Sequence, residues 1–448
     1  MNNWGEIHQN LFINIANAFN NEKINWTILR NYRELPINNN SKDVDISISY
    51  SDKDQVIELL EKVMFDNNFR FKKLIKFSFC YSYVYFNIAG KDIESIKIDL
   101  FWGLQLKGYV MATPEYIYST SEDFGLFKGA NTSLSNVFNF ITPIVSNGVI
   151  REKYFEPLVK EYEKNQTDIK KWLLNVMEEN MVNHLEKDLK TANLENIYSY
   201  LPKIRTSIMK KTSKKHSITL AINTIDRWYY RLYQFIYNTG GGFISFHGLD
   251  TKEKKNIIEH FNKKYAEVFI IETKAISHKY FKPNVLNYNN ITNINLSDDN
   301  SDYSKKEKSY LVSLISLSYT FFDYIIGYFY NTKKEILYHK TVIYNHYIYD
   351  ILSNSFKTNL KIPNSIKFLF TSITPKPTVS FYIHHIFEGK STKNKNTSIE
   401  NITLENKMFK KLENDGKFFI LETSQPSDEN IIKAIKKYIK KSCVKVYK

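Results

Sequence analysis

Apolar residues recur at intervals of three and four through Trp4, Ile7, Leu11, Ile15 and Phe19, a spacing that predicts a helix over 4–20. The period then changes. Residues 26–29 read as a short strand, and 31–41, with Pro36 and three consecutive asparagines, as a loop. Strict alternation over 43–49 predicts a strand with one polar and one apolar face. A helix over 54–65 and strands over 71–77, 81–88 and 93–101 follow. Together these make a small mixed-sheet α/β domain.

From about 116 to 237 the pattern is mostly helical, with charged amphipathic stretches at 152–165 and 169–190. The basic cluster over 203–215 is read as a solvated helix face or linker. After the glycines at 240–242 come a short strand of β-branched and aromatic residues and a polar helix over 251–265. Residues 287–308 read as a long loop and 311–330 as an apolar helix. Strands at 341–344, 378–383 and 418–422, a charged loop at 388–398 and a last helix at 428–441 complete the chain. Strands alternating with helices predict a parallel sheet with helices on both faces. The expected division is 1–130, a helical connecting region 131–237, and 238–448.

Composition changes this picture little. The 448 residues need more than one core, and 43% hydrophobic content is that of a globular chain. The net charge of +15 allows a nucleic-acid partner. Lysine here accompanies Asn, Ile, Tyr and Phe, the residues of A/T-rich codons, so that partner is not favoured. Two cysteines exclude a disulfide framework and a cysteine-rich zinc site, and they fit a reducing cytoplasm. The first residues show no signal-peptide pattern. The 311–330 segment has the length of a membrane span but carries Asp323, so it is expected to be a buried helix rather than a transmembrane one.

The first candidate chemistry is acidic. Asp43 and Asp45 stand two apart on a strand and share a face; Asp99 lies on a later strand. Carboxylates gathered so can hold one or two Mg²⁺ ions that neutralise a triphosphate and activate an acceptor hydroxyl. Spacing alone leaves open an ordinary solvent-facing strand. The segment from Trp26 to Ser49 resembles the nucleotidyltransferase superfamily, and more closely bacterial proteins with an LRxYxELP…KDIDI segment and a later IDL strand. The matching residues are Leu29, Arg30, Tyr32, Glu34, Leu35, Pro36, Lys42, Asp43, Asp45, Asp99 and Leu100. The resemblance implies that Asp43 and Asp45 bind metal and that Asp99 completes the metal site and helps to activate the acceptor; a nucleoside triphosphate is the expected donor. Arg30-Asn31 stands where the superfamily has Gly-Ser. Arg30 is read either as a phosphate ligand or as the partner of Glu34, and Lys42 either as a phosphate contact or as an offset to the acids.

The second candidate is a phosphate loop. FISFHGLDTKEKKN follows a strand and opens a helix, keeping Gly248 and Lys254 of G-x-x-x-x-G-K-[ST] but placing Glu253 and Lys255 at the other two positions. Glu253 adds bulk and negative charge, and a protonated lysine cannot ligate Mg²⁺. Val342 to Leu352, Pro375 to Ser391 and Phe418 to Ile435 resemble thymidylate kinase-like proteins, with Asn345-His346 in place of an Asp-Arg pair and Lys390, Lys393 and Lys395 in a basic lid. A degenerate P-loop kinase-like domain is therefore expected. His384 and His385 are expected to be ordinary histidines, since no second ligand pair has zinc spacing. The leading expectation is a Mg²⁺-dependent nucleotidyltransferase. Fused proteins of this resemblance imply bacterial surface-polysaccharide synthesis, with a sugar or glycolipid acceptor. A nucleotide kinase and a nucleic-acid modifying or binding protein are the rivals.

Overall fold

The computed structural model describes residues 4–39, 42–237, 241–248, 252–277, 285–286, 309–353, 360–384, 399–414, 418–422 and 428–447. They form two compact units. The first holds 1–89, 94–233 and 444–448, and the second 90–93 and 234–443.

In the first unit, helix α1 (Glu6–Asn21) buries His8, Leu11, Phe12, Ile15, Ala16 and Phe19. The inward face is rotated from the expected one. Ile7 is half exposed, and His8 is taken in because its ring meets the Ser95 carbonyl at 3.0 Å. Strands β1 (Trp26–Ile28) and β2 (Asp43–Ile48) pair antiparallel, helix α2 is Lys53–Asp66, and β3 (Phe71–Lys76), β4 (Cys80–Asn87) and β5 (Glu94–Phe101) follow. β5 lies parallel to β2 and antiparallel to β4. Val44, Ile46 and Ile48 of β2 and Ile96, Ile98 and Leu100 of β5 join one core with α1 and α2. By strand alternation, Asp43, Asp45, Lys97 and Asp99 take the opposite face.

A hairpin that the pattern did not predict comes next: β6 (Leu104–Leu106) and β7 (Tyr109–Ala112). Its turn places both Lys107 (φ 52°) and Gly108 (φ 93°) in the left-handed region, as a tight two-residue hairpin requires. Helix α3 is Pro114–Ser119, β8 is Glu122–Asp123 and β9 is Lys128–Gly129. With β15 (Val444–Lys445) at the far edge, the mixed sheet runs β15-β3-β4-β5-β2-β1-β9-β8.

Helices α4 (Thr132–Asn147), α5 (Phe155–Lys164), α6 (Gln166–Val176), α7 (Glu179–Lys190), α8 (Leu194–Ser199) and α9 (Leu201–Lys215) form a second core in the same unit, shared with Leu29, Leu104 and Met111. The expected 169–190 helix is broken at Met177–Glu178, where the Glu178 amide donates to Ser207 Oγ at 2.9 Å. The basic cluster is a solvated face: α9 buries Leu201, Ile204, Ser207, Ile208 and Thr212 and exposes Lys203, Lys210, Lys211, Lys214 and Lys215. Helix α10 is Ser217–Tyr237.

The second unit has a five-stranded, all-parallel sheet in the order β11-β12-β10-β13-β14. Its strands are β10 (Phe243–His247), β11 (Thr273–Ser277), β12 (Thr341–Asn345), β13 (Val379–His384) and β14 (Phe419–Glu422). Helix α11 (Lys252–Phe269) follows β10, and the last helix is Asp428–Ser442. The apolar segment forms α12 (Tyr310–Gly327), continued by a π-helical turn, Tyr328–Lys333. By length and composition α12 with its continuation could cross a membrane, yet Asp323 is fully buried and accepts the Val285 and Leu286 amides, each at 2.8 Å. The expected loop at 287–308 lies outside the described residues, as do His385 and the basic-lid lysines 390, 393 and 395.

Candidate functional site: an acidic face and a closed lysine network

Parallel pairing of β2 with β5 puts Asp45 directly opposite Asp99, and Asp43 opposite Lys97. The three acids therefore share one face of two neighbouring strands. Asp45 and Asp99 are buried, at 2% and 6% exposure, and Asp43 is half-buried. Arg30 Nε donates to Asp45 Oδ2, and Lys97 Nζ lies 2.8 Å from Asp99 Oδ2. The other oxygens, Oδ1 of Asp45 and Oδ1 of Asp99, are buried with no hydrogen-bond partner among the described residues. So are the hydroxyls of Thr27 and Ser47, cross-strand partners on β1 and β2, and of Ser82, paired with Asp99.

The electrostatics follow from this crowding. Burial, then the negative charges of Asp99 and Asp43, push the Asp45 pKa up to about 6, against the pull of Arg30. Burial opposes the charge of Arg30, but Asp45 and Asp43 raise its pKa overall. Lys97 behaves the same way beside Asp99. The Cys80 thiol is held well above its usual range by burial and by Asp99 and Asp45, which rules it out as a ready nucleophile.

A divalent cation suits this donor set in its chemistry: carboxylate oxygens alone, two of them buried and unsatisfied, are what Mg²⁺ prefers. Among the described residues no group of three His, Cys, Asp or Glu side chains is placed to hold a metal ion. Arg30 and Lys97 hold one oxygen each of Asp45 and Asp99 instead.

The other expected residues divide. Arg30 pairs with Asp45, not with Glu34, which accepts from Asn38. Asn31 takes a left-handed backbone (φ 57°), which asparagine tolerates better than most residues. Lys42 falls outside the acidic face. It is buried on the side where its charge lowers the His8 pKa, a smaller effect there than burial. Lys97, Ser47 and Ser82 were not anticipated. For Lys97 the signal was present: it stands two before Asp99, on the same face.

In the second unit Gly248 ends the central strand β10 with φ 111°, and a Cβ there would lie 2.8 Å from the Ile383 carbonyl. Residues 249–251 lie outside the description, and α11 then brings Lys254 back over the strand end. Lys254 is fully buried. Its Nζ donates to the Gly248 carbonyl at 3.1 Å and lies 3.2 Å from both ring nitrogens of His346. His346 Nδ1 meets Asp350 Oδ2 at 2.7 Å, and His247 Nδ1 meets Asp350 Oδ1 at 2.8 Å. His247 Nε2 continues to Ser245 Oγ at 2.8 Å, and that hydroxyl to Ser380 Oγ at 2.9 Å. Although burial opposes it, His247 and His346 hold the Asp350 carboxyl well below its ordinary range. Ser245, His247 and Asp350 have the connectivity of a hydrolase triad, but Ser245 and His247 have no solvent exposure, so no substrate reaches the hydroxyl.

No protein-family model matches the sequence, and no curated protein matches it. Solved structures give fold likenesses at low identity. Thymidylate kinase from Ehrlichia chaffeensis aligns with a TM-score of 0.31 and 13% identity over 45% of this chain and 99% of that one. The NadR protein in complex with NAD and AMP-PNP aligns at 0.29 and 12% over 52% and 60%. JHP933 from Helicobacter pylori aligns at 0.24 and 13% over 49% and 96%. The architecture itself defines a two-unit α/β protein. One unit has a mixed sheet with an acidic face, and the other a parallel sheet whose central strand leads through a glycine to a helix-borne lysine.

Proposed function

We propose that the protein is a Mg²⁺-dependent nucleotidyltransferase whose reactive centre is the acidic face of β2 and β5. One observation carries the reading: Asp45 and Asp99 stand in register with buried carboxylate oxygens that nothing in the described chain satisfies. Asp43, Asp45 and Asp99 would hold Mg²⁺, which when bound supplies charge neutralisation at the phosphates and a lower pKa for the acceptor hydroxyl. The guanidinium of Arg30, anchored through Nε, orients a donor phosphate with its remaining N–H groups. Asp99, completing the set, would help to activate the acceptor hydroxyl. The acceptor oxygen bonds to the α-phosphorus of a nucleoside triphosphate, the bond to the pyrophosphate oxygen breaks, and pyrophosphate leaves. The acceptor class is a sugar or glycolipid of bacterial surface-polysaccharide synthesis.

The test is turnover of a nucleoside triphosphate panel by the full chain. Asp43→Ala abolishes turnover. Undiminished turnover in Asp43→Ala refutes the assignment.

A second reading places a nucleotide kinase in the second unit. It shares its activity with the thymidylate kinase named above, but the observation favouring it is local: Gly248 and Lys254 keep the strand-loop-helix setting of a phosphate loop. Against it, Lys254 is engaged by the Gly248 carbonyl and His346. Thymidylate phosphorylation that needs ATP and disappears in Lys254→Ala would establish this reading.

A further inference from the structure

Beside Arg30 lies a cavity of about 260 Å³, between loop residues 30–39 and the first turns of α4. Its size is just below the roughly 300 Å³ at which drug-sized pockets begin, which suits a ligand of one ring. Its lining decides the chemistry. No aliphatic residue lines it. Tyr32, the one aromatic, is buried, packs edge-on against Phe124 and donates its hydroxyl to the Ala130 carbonyl. A lipid chain would find no aliphatic side chain there.

A phosphate fits no better. The first amides of α4 are already used: Thr132 N donates to Glu122 Oε1 at 3.0 Å, and Ser133 and Leu134 donate to Asn131 Oδ1 at 3.0 and 3.2 Å. Arg33 Nη2 donates to Thr132 Oγ1 at 2.9 Å, and Glu34 adds a negative charge to the lining. That leaves the carboxamides of Asn31, Asn136 and Asn139. Each offers donors and an acceptor side by side, as each hydroxyl of a polyol does.

We infer that this cavity is a binding site for an uncharged, hydroxyl-rich ligand, a monosaccharide ring. Arg30 belongs to both places, lining the cavity and holding Asp45. A ring seated there has a hydroxyl beside the carboxylates and is the acceptor. That last assignment rests on the transferase reading; the binding itself does not.

Saturation-transfer NMR on the full chain tests it, with methyl glycosides of glucose, galactose, mannose and N-acetylglucosamine, and with inorganic phosphate and uridine as rival probes. At least one glycoside receives saturation, neither rival displaces it, and Asn136→Leu or Asn139→Leu weakens its binding about ten-fold or more, as loss of ligand hydrogen bonds requires. Both variants keep a helix-forming residue on α4, and an unchanged thermal midpoint shows that they fold. Should one not fold, Asn136→Ala replaces it. Glycoside binding that persists in Asp43→Ala, while turnover is lost, separates the two claims. Silence from all four glycosides, displacement by phosphate or uridine, or binding indifferent to these substitutions overturns the inference.

Discussion

Each unit buries a carboxylate next to basic side chains, and the two differ in how far the charge is answered. Around Asp350 every element closes: two histidines hold one oxygen each, and Lys254 completes the cluster beneath a glycine carbonyl. Asp350 is accordingly held in its ionised form. Around Asp45, one oxygen meets Arg30, the other meets nothing described, and two more acids crowd the same face. Asp45 accordingly resists ionisation. A satisfied network holds a fold together and offers little to a ligand, whereas an unsatisfied one stores the cost that a cation can relieve. This contrast supports the proposal that the chemistry lies in the first unit.

The same isosteric change should act with opposite sign at the two places. Asp350→Asn leaves buried basic groups without their counter-charge and should destabilise the protein by about 3–5 kcal/mol, read by urea or thermal unfolding. A loss below about 1 kcal/mol would mean that the network is not what it looks like. Asp45→Asn removes a charge that the fold disfavours. Its pKa rises from 3.8 to about 6, so its protonated form adds stability that is fully present below pH 3.8 and lost as the pH climbs through 6. At pH 7, Asp45→Asn should therefore leave stability unchanged or raise it, by at most about 3 kcal/mol. It should also flatten the wild-type rise in stability between pH 7 and 4. Destabilisation of similar size in both variants would erase the contrast.

The sequence disclosed the first site better than the second, and the reason lies in periodicity. Alternation through Asp43, Asp45 and Ser47 set the strand and its polar face, and Asp99 needed only a partner strand in parallel register. What stayed hidden depended on distant pairing: Arg30 choosing Asp45 over Glu34, and Ser82 meeting Asp99 across β4 and β5. Lys42 shows how little adjacency in sequence decides. Just before Asp43 and the start of β2, it is buried where its charge acts on His8. In α1 the buried His8 broke the apolar pattern, since a hydrogen bond to Ser95 rather than hydropathy takes it inside. In the second unit the altered phosphate-loop residues were legible, but the network that engages Lys254 was not. Its members Ser245, His247, His346, Asp350 and Ser380 come from three separate stretches of chain.

The most direct measurement is the thermal midpoint of the full chain with and without millimolar Mg²⁺, run on wild type and on Asp45→Asn at pH 7. A cation that binds the native carboxylates raises the wild-type midpoint and leaves Asp45→Asn where it was. A wild type indifferent to Mg²⁺, or a variant that shifts equally, would contradict the assignment of the reactive centre to β2 and β5.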